Sequence, residues 1–93
     1  MSQLSLASTV SVNADILESR VDDETVLMDV VSGHYYGLDE VASTIWENLK
    51  SPITVEKLIG DLACEFRTTP EAIESDVLEF LEEGSENELV EIS

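Results

Sequence analysis

Between Thr25 and Leu49 the spacing of apolar residues changes from two to three and four, and this switch constrains the fold more than any other feature of the chain. "TVLMDVV", residues 25 to 31, puts Val26, Met28 and Val30 on one face and Leu27, Asp29 and Val31 on the other, the alternation of a half-buried strand. Ser32-Gly33 breaks it with a glycine free to take positive φ, and "HYYGL" reads as the returning strand of a hairpin. Asp39 then stands where an N-cap belongs, and Val41, Ala42, Ile45, Trp46 and Leu49 recur at helical spacing to about Lys50. A strand hairpin feeding directly into an amphipathic helix predicts an α+β domain.

The remaining segments fit around that unit. Residues 1 to 8 read as a flexible tail, and Val10 and Val12 in "TVSVN" predict a short first strand. "ADILESRVDDE" mixes acids with few apolar residues and reads as a connection with one helical turn. Thr54 caps a second helix whose stripe is Val55, Leu58, Ile59, Leu62, Ala63 and Phe66. Thr69-Pro70 starts a third with Ile73, Val77, Phe80 and Leu81 inward, and Gly84 reads as its stop. Residues 84 to 93 are left as a short strand or a tail. No repeat or linker divides the chain, so 1–93 reads as one domain.

Charge excludes several functions. With 21 Asp and Glu against 4 Lys and Arg, a formal charge of -17 repels phosphate backbones and anionic membranes. The third helix has no Lys or Arg, which argues against its use as a DNA-reading helix. Cys64 is the sole cysteine and reads as a small buried hydrophobe, and no basic n-region or long apolar run marks export. A cytoplasmic protein with no nucleic-acid or membrane partner is the expectation.

Catalytic chemistry is hard to assemble here. One His and one Cys lack a supporting motif, no second ligand at metal spacing accompanies His34, and no acidic cluster has the calcium-loop pattern. No catalytic residue, cofactor or metal is therefore expected. Tyr35 and Tyr36, being adjacent on a strand, must point to opposite faces; Tyr36 shares a face with Leu38, and Tyr35 points outward. Trp46 reads as core. Asp76, Glu79 and Glu83 form an acidic helix face, solvated or turned toward a cationic partner.

"ETVLMDVVSGHYYGLDEVASTIWENL", "TVEKLIGDLACEF" and "ESDVLEFLEE" together resemble the PqqD family, the small RiPP recognition elements that bind leader peptides of ribosomally made, modified peptides. The similarity spans roughly residues 9 to 83 and is nearest to the free-standing PqqD-type proteins of lasso peptide biosynthesis. It implies a winged helix-turn-helix-like fold, a three-stranded antiparallel sheet packed on three helices, without enzymatic activity. It implies that a precursor leader peptide adds as a strand beside His34–Leu38, over a groove against the third helix, and is presented to a leader peptidase or another RiPP-modifying enzyme. The peptide-binding residues so implied are Val30, His34, Tyr35, Tyr36, Gly37, Asp76, Val77, Glu79, Phe80 and Glu83. One departure is "GSENELV" after Glu83, where the family continues through a leucine-rich turn; it bears on the length of the third helix and the lower end of the groove. The alternatives are an adaptor for another modifying enzyme such as a radical SAM enzyme, and a winged-helix transcription regulator.

Overall fold

In the computed structural model, residues 4–22 and 24–93 are described. The order is β1 (Thr9–Val12), β2 (Ile16–Val21), β3 (Glu24–Asp29), β4 (Tyr35–Leu38), α1 (Glu40–Asn48), β5 (Ile53–Thr54), α2 (Val55–Glu65), α3 (Pro70–Glu86) and β6 (Val90–Ile92). The mixed α+β architecture is as expected, but the strands form two three-stranded antiparallel sheets, ordered β2-β3-β4 and β5-β1-β6. Both β4 and β2 are therefore sheet edges.

The hairpin forms with a longer turn than the two-residue break the sequence predicts. Asp29 accepts at its carboxylate from the amides of Val31 (2.9 Å) and Ser32 (3.3 Å), while its carbonyl accepts from Gly33 (2.7 Å). Those two amides hold the Asp29 carboxyl below its ordinary range. Gly33 adopts φ +79, the conformation for which a glycine was read there. Val30 is consequently in the turn and not on the strand.

The segment read as a connection is strand β2, paired with β3 in register from Ile16↔Asp29 to Val21↔Glu24. Its inward face carries Glu18, whose carboxylate accepts from the Trp46 indole at 2.8 Å and meets Lys50 Nζ at 3.1 Å. Partial burial works against that charge, yet the Trp46 and Lys50 contacts outweigh it and hold the carboxyl below its ordinary value. This contact ties β2 to α1, with Trp46 itself in the core as expected.

The helices pack their predicted stripes inward: Ile45 and Leu49, then Leu58 and Leu62, then Val77 and Leu81 are all buried. Each helix has the cap read from the sequence, Asp39, Thr54 and Thr69 accepting from Ala42, Lys57 and Ala72. Cys64 is exposed, because the α2 stripe of Leu62, Ala63 and Phe66 turns it to solvent, which corrects the buried reading. Residues 1–3 of the expected flexible tail lie outside the described residues; the next few are tied to α2, Leu6 and Ser8 accepting from Glu56 and Val55.

Gly84 does not stop α3, which runs on to Glu86. It is the point where β6 crosses the helix: a Cβ there would sit 2.7 Å from Val90 Cγ2. The last strand then pairs with β1, so the C-terminal segment completes the β5-β1-β6 sheet, and among the described residues no strand pairs with the outer side of β4.

Two outcomes check this packing. Overpacking a core costs about 1–3 kcal/mol against about 1 kcal/mol of helix propensity gained over glycine. Gly84→Ala should therefore lose about 1 kcal/mol of stability in urea titration, whereas in a Val90→Ala background the same change should be stabilising. For Glu18 the folded pKa is depressed, so its contribution is full above the ordinary carboxylate value of 4.5 and is lost as pH falls through the folded value. The stability difference between the wild type and Glu18→Gln should be constant above about pH 5 and shrink below it.

Candidate functional site

The β3–β4 ladder pairs Thr25↔Leu38, Val26↔Gly37, Leu27↔Tyr36 and Met28↔Tyr35. The Asp29 amide donates to the His34 carbonyl at 3.0 Å, which sets the phase of the ladder. Hydrogen-bonded pairs recur every second residue in an antiparallel ladder, so Tyr36 and Leu38 spend their backbone groups on β3. The amides and carbonyls of Tyr35 and Gly37 therefore point away from the sheet. A Cβ at Gly37 would meet nothing within 4 Å, so the outer face of the sheet is uncovered at that residue.

Side chains divide the same way. Leu38 (8% exposed), Tyr36, Leu27 and Thr25 face the helices, and Tyr35 (69% exposed) faces out, the division expected from the strand period. On that outer face Tyr35 aligns with Met28 and Leu17, itself 55% exposed, in an apolar row among the two-residue repeats of β2 and β3.

Beside β4, on the helix side, lies a groove made of two adjoining cavities. One, about 220 Å³, is lined by Tyr36, Gly37 and Leu38 of β4, Phe80, Glu83 and Gly84 of α3, and Leu89 beyond it. The other, about 310 Å³, continues past the end of β4 between Val41, Ala42 and Ile45 of α1 and Asp76, Glu79, Phe80 and Glu83 of α3. Phe80 is half-buried where the two meet and gives both an apolar wall.

Of the ten residues named from the sequence, Tyr36, Gly37, Asp76, Glu79, Phe80 and Glu83 line this groove. Tyr35 contributes the open edge. His34 is exposed at the head of β4, its ring edge-on to that of Tyr36 at 6.5 Å. Four of the ten, His34 and Tyr35 together with Val77 and Val30, line neither cavity. Val77 is 0% exposed, so it supports the floor from beneath and offers no area to a guest. Val30, in the turn, lines neither cavity.

The sequence reading missed the α1 wall formed by Asp39, Val41 and Ala42. Val41, counted from the sequence with the apolar stripe of α1, stands 37% exposed and forms part of this wall instead. The doubt raised by "GSENELV" resolves into a longer helix: α3 reaches Glu86, and Gly84 with Leu89 builds the lower end of the groove. Among the described residues no group of three or more His, Cys, Asp and Glu is placed to hold a metal ion. No described helix is long and apolar enough to cross a membrane.

An open strand margin over a partly apolar groove in a small α+β domain is the geometry that strand addition of an extended chain requires. The model of the family described as coenzyme PQQ synthesis protein D (PqqD) matches residues 24–90, which is most of this chain and contains the hairpin and all three helices. The chain belongs to the PqqD family. Two solved structures share its fold. "TbiB1 in Complex with the TbiA(beta) Leader Peptide" is 30% identical with a TM-score of 0.77, covering 87% of this chain and 94% of that one. "Lasso peptide synthetase B1 complexed with the leader peptide" is 22% identical with a TM-score of 0.76, covering 88% and 96%. No curated protein matches the chain.

Proposed function

We propose that this protein is a non-catalytic recognition element that captures the leader segment of a ribosomally made precursor by adding it as a strand to β4, and hands it to a processing enzyme. The observation that carries the reading is the coincidence, on one strand, of outward backbone groups at Tyr35 and Gly37 with a groove floored by Phe80. The two structural neighbours, both complexes with leader peptides, support the choice of guest. The neighbour described as a lasso peptide synthetase B1 supports a lasso system, for which we take a leader peptidase as the enzyme served; an adaptor role toward another modifying enzyme, which the family's PQQ description suits, is the second reading. The exposed thiol of Cys64 suits a reducing cytoplasm.

Energetics fix how such binding must work. Ordering a guest residue costs about 1–2 kcal/mol, and an added strand hydrogen bond returns about 0.5–1.5 kcal/mol net. Pairing with Tyr35 and Gly37 therefore does little more than cancel its own ordering cost. Affinity must come from apolar anchors at about 1.5–3 kcal/mol each when buried. In a strand laid on β4, guest residues level with Tyr36 and Leu38 turn into the groove, and those between them turn to the outer face. That outer face, with Leu17, Met28 and Tyr35, continues across the guest and gives the enzyme a surface that touches carrier and cargo together.

Titration with a synthetic leader of the precursor encoded beside this chain tests the reading. Saturable binding is expected, weakened about 5- to 30-fold by Phe80→Ala, the loss of roughly one anchor. Leu17→Glu should leave that affinity unchanged while reducing leader removal by the neighbouring peptidase. Failure of every neighbouring leader to bind would contradict the proposal.

A further inference from the structure

The part of the groove beyond the end of β4 differs in character from the part beside it. Its apolar surface, Val41, Ala42, Ile45 and Phe80, is rimmed by Asp76, Glu79 and Glu83 from one face of α3. Asp39 lies at the opposite wall, but its carboxylate is engaged as the α1 cap, accepting from Ala42 at 2.8 Å. No Lys, Arg or His lines either cavity. Lys50 is committed to Glu18 and Glu47, and Lys57 to Asp61, while Arg20 and Arg67 belong to β2 and to the turn after α2. The three α3 carboxylates thus have no cationic partner among the described residues.

An acidic face over open water would be an ordinary solvated helix. Here the carboxylates stand over a walled, partly apolar floor, where a charge pair is screened less than on a free surface. The occupant that satisfies both features is a long side chain with an apolar stem and a cationic head. Its methylenes lie on Phe80 and Val41 and its head reaches the α3 rim. Asp76 and Glu83 are seven residues apart, about 10 Å along the helix, so the rim spans about three residues of extended chain.

Resting on the strand-addition reading above, we infer that the groove selects a guest carrying a Lys or Arg a few residues beyond its apolar anchors, on the side that passes Leu38 toward α1. For a guest antiparallel to β4 that is the N-terminal side of the anchors; for a parallel guest it is the C-terminal side. Cation position therefore also reports strand direction. The charge of -17 speeds encounter with such a guest, whereas the α3 rim supplies the selectivity.

The test titrates the full chain with a fluorescein-labelled synthetic leader of the neighbouring precursor and with versions in which each Lys or Arg is changed singly to Gln. One replacement should weaken binding about tenfold at about 50 mM salt, shrinking to about twofold at about 500 mM. The Asp76→Asn/Glu79→Gln/Glu83→Gln variant should bind the parent as weakly as the Gln peptide and no longer distinguish the two. Glu79→Lys should prefer a peptide with Glu at that position, a reversal that a folding defect cannot produce. Parent binding that is indifferent to every Gln replacement and to the triple variant overturns this inference and leaves strand addition standing. Absence of parent binding overturns both.

Discussion

The β3–β4 ladder is the constraint on which the rest of the structure depends. It spends the backbone groups of Tyr36 and Leu38 on β3 and leaves those of Tyr35 and Gly37 unspent, and the Asp29 turn determines which pair is which. A shift of one residue would exchange every side chain between faces, putting Tyr35 among the helices and Tyr36 in solvent. Buried Leu27, between half-buried Val26 and Met28, and buried Leu38, between exposed Gly37 and Asp39, make that shift costly. Register, edge and groove are thus one decision made in five residues of turn.

An unpaired strand edge is usually a liability, and this chain manages it without closing it. The C-terminal strand β6, the chain's nearest means of covering β4, is sent across α3 at Gly84 to pair with β1. The strand is short, and the net charge opposes self-association. Meanwhile the Glu18 contact with Trp46 and Lys50 holds β2 against α1 on the far side, so the sheet is braced at the edge opposite β4. Stability is concentrated in the helices and the inner sheet face, leaving the β4 margin open.

How much of this was legible in the sequence follows from whether each signal is local. The hairpin and three helices were, because Leu27 with Leu38, and stripes such as Leu58, Ile59 and Leu62, repeat at the period of the element that buries them. Strand β2 was not: Glu18 occupies an inward position and breaks the apolar alternation, and the indole that satisfies it is 28 residues away. Gly84 looked like a stop because glycine ends helices locally, whereas its reason is Val90, brought back by a turn at Glu88 with φ 60. In the groove, the α3 residues Asp76, Glu79, Phe80 and Glu83 share a face by helical spacing and were found together. The α1 wall was invisible until folding set Val41 and Ala42 opposite them.

The open margin of β4 is the central claim, and amide hydrogen exchange measured residue by residue with and without a saturating leader peptide tests it most directly. Before addition, the Tyr36 and Leu38 amides should exchange slowly and those of Tyr35 and Gly37 fast; after it, Tyr35 and Gly37 should become protected while β2 is unchanged. Protection that appears on β2, or Tyr35 and Gly37 amides that stay fast in the saturated complex, would contradict the account.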